Sequence, residues 1–90
     1  MTTAIILFNC KRSKVNEAFK EIKEIEGITD IYTVAGEYDF VAIFRTNDPS
    51  KLSQILTEQI VNIDEISRTK TLIALDTYSD INLQEAYKLK

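Results

Sequence analysis

The densest group of residues able to do chemistry is Gly36-Glu37-Tyr38-Asp39. A glycine there frees a turn whose backbone N–H groups can point at an anion, and the Asp39 carboxylate can pair with an ammonium group. Together they would recognise a zwitterion. The same four residues also make a plain tight turn with an outward Tyr38 and a solvated Asp39, and spacing alone does not choose between the two. Residue type excludes other chemistries. One cysteine, Cys10, and no histidine rule out an internal disulfide, a Cys₄ or Cys₂His₂ zinc site, a CxxC redox pair and a His-dependent triad. No catalytic residue, metal or cofactor is expected. Cys10 closes an apolar segment and suits a buried small hydrophobe. Lys11, Arg12 and Lys14 lack interleaved aromatics and suit a solvated loop better than a nucleic-acid patch.

Ninety residues with 44% hydrophobic and 28% charged content, two Gly and one Pro describe one small globular domain. The net charge of −3 provides no dispersed basic field for nucleic acid or anionic membrane. No apolar run is long enough for a membrane span, and no cleavable leader is evident at the start, so a cytoplasmic protein is expected. The domain should occupy residues 1–76, with 77–90 an appended tail carrying one helical turn at 83–88.

The elements that must position the hairpin follow from periodicity. Residues 4–10 are apolar on both parities and predict a strand. Val15, Ala18, Phe19, Ile22 and Ile25 recur at helical spacing, with Ser13 as N-cap and Gly27 as a left-handed C-cap. Residues 28–35 and 38–45 predict two strands joined by a II′ turn at Gly36-Glu37. Asp48-Pro49 opens a second amphipathic helix bearing Leu52, Ile55, Leu56, Ile60 and Ile63. Residues 66–75 alternate as a last strand. The order β-α-β-β-α-β predicts an α+β, ferredoxin-like sandwich: a four-stranded antiparallel sheet with two helices on one face.

Right-handed crossovers place both helices on the same face, so the opposite face lacks cover. Yet Ile5 and Leu7, Ile6 and Phe8, Val41 and Ile43, and Phe40, Ala42 and Phe44 make the strands apolar on both parities. A water-facing antiparallel sheet alternates with polar residues. A homodimer through the bare sheet faces is therefore expected, although the sequence does not say which parity faces the partner. The simpler alternative folds the 77–90 tail over the sheet.

The segments Val34-Ala35-Gly36-Glu37-Tyr38-Asp39-Phe40-Val41-Ala42 and Ile63-Asp64-Glu65-Ile66-Ser67-Arg68-Thr69-Lys70-Thr71-Leu72-Ile73-Ala74-Leu75 resemble the effector-binding domain of the Lrp/AsnC (feast/famine) regulators. This is the regulation-of-amino-acid-metabolism (RAM) module, and the resemblance runs from about residue 4 to residue 75. Such regulators usually carry an N-terminal helix-turn-helix, whereas this chain begins at its first strand. The resemblance thus implies a stand-alone module in which sheet-packed dimers join into rings and amino acid effectors sit between dimers. It further implies that Gly36, Tyr38 and Asp39 line the pocket and that Thr69 and Thr71 add hydroxyls. Without it, both threonines suit a strand bordering an interface, and Arg68 and Lys70, on the other parity, suit edge charges. The leading expectation is a non-enzymatic amino-acid-binding co-regulator, acting by oligomer assembly or by mixing with full-length Lrp-type partners and not touching DNA directly. A cofactor-free dimeric α/β-barrel enzyme shares the element order but needs a polar, roomy core, and an RNA-binding sheet would need a basic-Gly-aromatic signature that is missing.

Overall fold

A computed structural model describes residues 1–76; the tail at 77–90 and its expected helical turn lie outside the described residues. The elements are β1 (Thr2–Cys10), α1 (Val15–Lys23), β2 (Ile28–Thr33), β3 (Phe40–Thr46), α2 (Pro49–Gln54) and β4 (Ile66–Ala74). Helix α2 runs on through a π turn (Ile55–Gln59) and a 3₁₀ turn (Ile60–Asn62). The strands form one antiparallel sheet in the order β2-β3-β1-β4, so each helical connection passes over one intervening strand. This is the expected ferredoxin-like α+β architecture.

Register assigns the parity that sequence left open. Ala4, Ile6 and Phe8 of β1 lie opposite Phe44, Ala42 and Phe40 of β3, and all six are buried. They share one core with Ala18 and Ile22 of α1 and with Leu52, Ile55 and Ile60 of the α2 segment. Both helices therefore cover this parity. The other parity pairs Ile5 with Ile43 and Leu7 with Val41 in the middle of the sheet, flanked by Tyr32 on β2 and Leu72 on β4. The central four are half-buried, while Tyr32 and Leu72 stay 55% and 44% exposed, leaving an apolar face without a helix on it.

Local sequence signals set the helix ends at some termini and are overridden at others. The Asp48 carboxylate caps α2, accepting from the Ser50 N–H at 3.0 Å and its hydroxyl at 2.7 Å, and these bonds hold its pKa below the usual carboxylate range. The five-residue step from Ile55 to Ile60 does not fit a 3.6-residue period; a π turn, in which the Ile60 N–H reaches the Ile55 carbonyl, keeps both residues in the core. Ser13 is not the α1 cap. A turn closed by Lys14 N–H to the Lys11 carbonyl at 3.0 Å puts Ser13 at φ 67°, and Lys14 occupies the cap position without a side-chain bond.

Gly27 follows the α1 C-cap, Glu24, by three residues, so it does not end the helix directly. Its φ of 100° and its contact surface explain it: a Cβ there would overlap the ring of Phe44, which is fully buried and has no room to retreat. Gly27→Ala is expected to cost about 1–3 kcal/mol from backbone strain and overpacking together. Urea denaturation measures this directly, and a loss below about 0.5 kcal/mol, the scale of an ordinary surface change, would refute the assignment.

Candidate functional site

The β2–β3 connection is wider than a two-residue turn. Pairing ends at Thr33 opposite Phe40, and Val34 N–H then donates to the Asp39 carbonyl at 3.2 Å, leaving residues 35–38 as the loop tip. The expected II′ turn is thus replaced by a longer loop, because Asp39 is drawn sideways onto β1. Its N–H donates to the Phe8 carbonyl at 2.8 Å, and its carboxylate Oδ2 accepts from the Cys10 N–H at 2.8 Å. The second bond falls where the β1–β4 ladder shifts register between Asn9 and Cys10. Asp39 extends the β1–β3 seam past its last backbone pair, Phe8 with Phe40, using one carboxylate oxygen and leaving the other without a hydrogen-bond donor among the described residues.

Gly36 sits at the exposed tip with φ 133°, and no atom lies within 4 Å of where its Cβ would be. The glycine meets a backbone requirement rather than a steric one, and its peptide groups are open to an approaching molecule. Tyr38 is half-buried, and the Arg68 guanidinium stands over its ring at 5.1 Å. That geometry is attractive for a cation on an aromatic face. Arg68 has no carboxylate partner among the described residues.

Thr69 and Thr71 sit elsewhere. They lie opposite Phe8 and Ile6 and so share the helix-side parity of β4, whereas Arg68 and Lys70 lie opposite Asn9 and Leu7 on the open side. Thr69 is exposed and borders a depression of about 220 Å³ with Leu56, Ile60 and Val61, and Thr71 is half-buried. One protomer therefore brings Gly36, Tyr38 and Asp39 together, adds Arg68, and leaves the two threonines across β1 on the other surface. Sequence reasoning set Arg68 aside because its parity differs from that of Thr69 and Thr71. No spacing signal links it to Tyr38, since their contact depends on the loop leaning toward β4.

Asp39 also acts on its neighbour's acidity. Burial, and secondly the Asp39 charge, push the Cys10 thiol above its ordinary pKa. Asp39→Asn keeps an acceptor oxygen but removes the charge, so the Cys10 pKa should fall partway toward its ordinary value, with the larger burial effect remaining. Ultraviolet thiolate titration checks this, and an unchanged or higher value would contradict the arrangement.

Comparison with known proteins agrees with the geometry. The family model described as the Lrp/AsnC ligand binding domain matches residues 3–83. The chain is 34% identical over 77 residues to the HTH-type transcriptional regulator Ptr1 of Methanocaldococcus jannaschii, covering 86% of this chain and 52% of that protein. It is 31% identical over 77 residues to the HTH-type transcriptional regulator FL11 of Pyrococcus abyssi, covering 86% and 50%. The chain thus spans about half the length of the curated relatives it matches, and these are named as regulators rather than enzymes. Among solved structures, TTHA0845 from Thermus thermophilus superposes with a TM-score of 0.83 at 31% identity, over 89% of this chain and 100% of that one. A feast or famine regulatory protein from M. tuberculosis, solved in complex with L-methionine, superposes with a TM-score of 0.71 at 26% identity, over 90% and 55%. No helix among the described residues is long and apolar enough to cross a membrane. With its sheet order, hairpin loop and near full-length match in agreement, the chain belongs to the Lrp/AsnC ligand-binding domain family.

Proposed function

We propose that the chain is a non-enzymatic effector-binding module that takes a small α-amino acid at the 34–39 loop and passes occupancy on as a change in assembly. The observation that carries this reading is the loop itself. It offers open backbone at Gly36, a carboxylate oxygen of Asp39 not used by Cys10, and the Arg68 guanidinium over Tyr38. Asp39 suits the ligand ammonium; Arg68 and loop N–H groups suit its carboxylate. The L-methionine bound by the M. tuberculosis relative supports this ligand class.

Assembly follows from the uncovered sheet face. Fully burying side chains such as Ile5, Leu7, Val41 and Ile43 is worth about 1.5–3 kcal/mol each, a large share of the stability of a small domain. A two-fold dimer packing these faces together supplies that burial. A ring of such dimers would let one subunit's Thr69 and Thr71 complete a neighbour's loop, accounting for their separation within one protomer. A ligand lodged between dimers then favours whichever assembly completes its pocket. The regulator relatives support a cytoplasmic role beside full-length Lrp-type partners, without direct contact to nucleic acid by this domain. The barrel-enzyme alternative finds no support in the core: among the described residues every buried side chain is apolar, leaving no polar group to act on a substrate there.

Two measurements test the proposal. In a thermal-shift screen of the twenty amino acids, begun with L-methionine, a ligand at ten times its Kd adds about 1.4 kcal/mol, worth roughly 6–11 °C for a domain of this size. Arg68→Ala, which leaves the Asp39 bonds to β1 intact, should remove most of that rise, and silence from every amino acid would overturn effector binding. In analytical ultracentrifugation, Val41→Asp should yield a folded species of smaller mass. Phe44→Asp should unfold the chain instead, because that ring belongs to the helix-side core. Wild-type mass for folded Val41→Asp would overturn the sheet-packed dimer.

A further inference from the structure

Two ways of packing the open sheet faces are compatible with two-fold symmetry, and they bring different strands together. The apolar centre, Ile5 and Leu7 of β1 with Val41 and Ile43 of β3, straddles the middle of the sheet. An axis that packs this centre on itself passes between those two strands. Running along the strands, the axis lays β4 of one copy on β2 of the other. Running across them, it lays β4 on β4 and β2 on β2.

The two flanks of the face differ in charge. Register continues the row Leu7–Val41 outward to Lys70 on β4 and Tyr32 on β2, and the row Ile5–Ile43 to Leu72 and Asp30. On β4, neither Arg68 nor Lys70 has a carboxylate partner among the described residues; Arg68 stands over Tyr38, whereas Lys70 is exposed with no aromatic ring beneath it. On β2, the Tyr32 ring is more than half exposed, and Asp30 is held at 3.0 Å by Arg45 of its own chain. An axis across the strands gathers Arg68 and Lys70 of both copies on one flank, among Leu72 and Ala74 and away from any acid of the face. Cations drawn together as they lose water repel strongly. An axis along the strands instead carries each Lys70 to the Tyr32 ring of the partner subunit, one row from the acid Asp30. A lysine over an exposed aromatic face is an attractive contact, and more so once desolvated.

We propose that two copies of this chain pack with β4 on β2, and that the partner-selecting contact is Lys70 of one copy over the Tyr32 ring of the other. The inference rests on the sheet-packed dimer put forward above and adds an orientation and a partner requirement to it. Symmetry makes the contact twice, once on each flank. The surface fits a second copy of this chain and rejects a related domain whose β2 is cationic at that position.

Sedimentation equilibrium of the full chain over a concentration series reads the dimer Kd. Lys70→Glu sets a carboxylate against the Tyr32 ring and Asp30 of the partner subunit, and Tyr32→Lys sets two lysines against each other. Each should raise Kd by at least about tenfold, with circular dichroism unchanged because both positions are exposed. The double variant Tyr32→Lys/Lys70→Glu opposes unlike charges at both contacts and should recover most of the lost affinity. It cannot do so within one copy, where the two positions lie three strand spacings apart, roughly 14 Å. An axis across the strands predicts the reverse: near-indifference to Lys70→Glu and no recovery in the double variant. Either result would overturn the β4-on-β2 packing while leaving the sheet-packed dimer standing. A wild-type chain that stays monomeric throughout the series would overturn both.

Discussion

Side chains alternate across a β-sheet, and two helices of this length can cover only one of its faces. Everything else in this protein depends on that constraint. The register that sets Ile6 opposite Ala42 commits one parity of β1 and β3 to the helices and turns the other, Ile5, Leu7, Val41 and Ile43, outward as a second apolar surface. A slip of one residue would exchange the two sets and drive Phe8, Phe40 and Phe44 out of the core. The packing of these rings, together with the close approach of Phe44 to Gly27, makes such a slip costly. The outward face is equally specified, and its apolar character follows from the same register.

The hairpin loop belongs to the same frame. Asp39 bonds to β1 through both its backbone and its carboxylate, which anchors a six-residue connection to the end of the sheet's central seam. A loop otherwise free to sample many conformations is thereby held at its base, while its tip at Gly36 stays open. Preorganisation of that kind lowers the ordering cost of binding a small polar molecule. Arg68 enters from β4, so groups from both sides of β1 converge on one end of the sheet.

The element order and the identity of the apolar strands were legible because β-branched and aromatic runs at 28–35 and 38–45, bounded by turn residues, and the helical spacing from Val15 to Ile25 are strong signals. Which parity meets the helices was not, because Ile, Val, Leu and Phe occupy both and only the pairing of strands distinguishes them. Ser13 and Gly27 were legible as chain punctuation but misassigned in role: a turn from Lys11 displaced the first, and a neighbouring ring explains the second. The hairpin motif was legible, yet its width was not, since the bonds that widen it come from β1, some thirty positions earlier in the chain. Arg68 escaped for the same reason. Its partner Tyr38 is equally remote in sequence, and alternation alone set it on the side away from the two threonines.

The double use of Asp39 has an evolutionary corollary. A carboxylate that stitches one strand to the next is under selection in every descendant that must fold, whether or not that descendant still senses anything. Retention of aspartate at this position across a lineage therefore reports on architecture first. In the proposed reading, drift at Gly36 and Arg68, neither of which bonds the loop to β1, is the clearer record of a receptor that has changed its cargo or given it up.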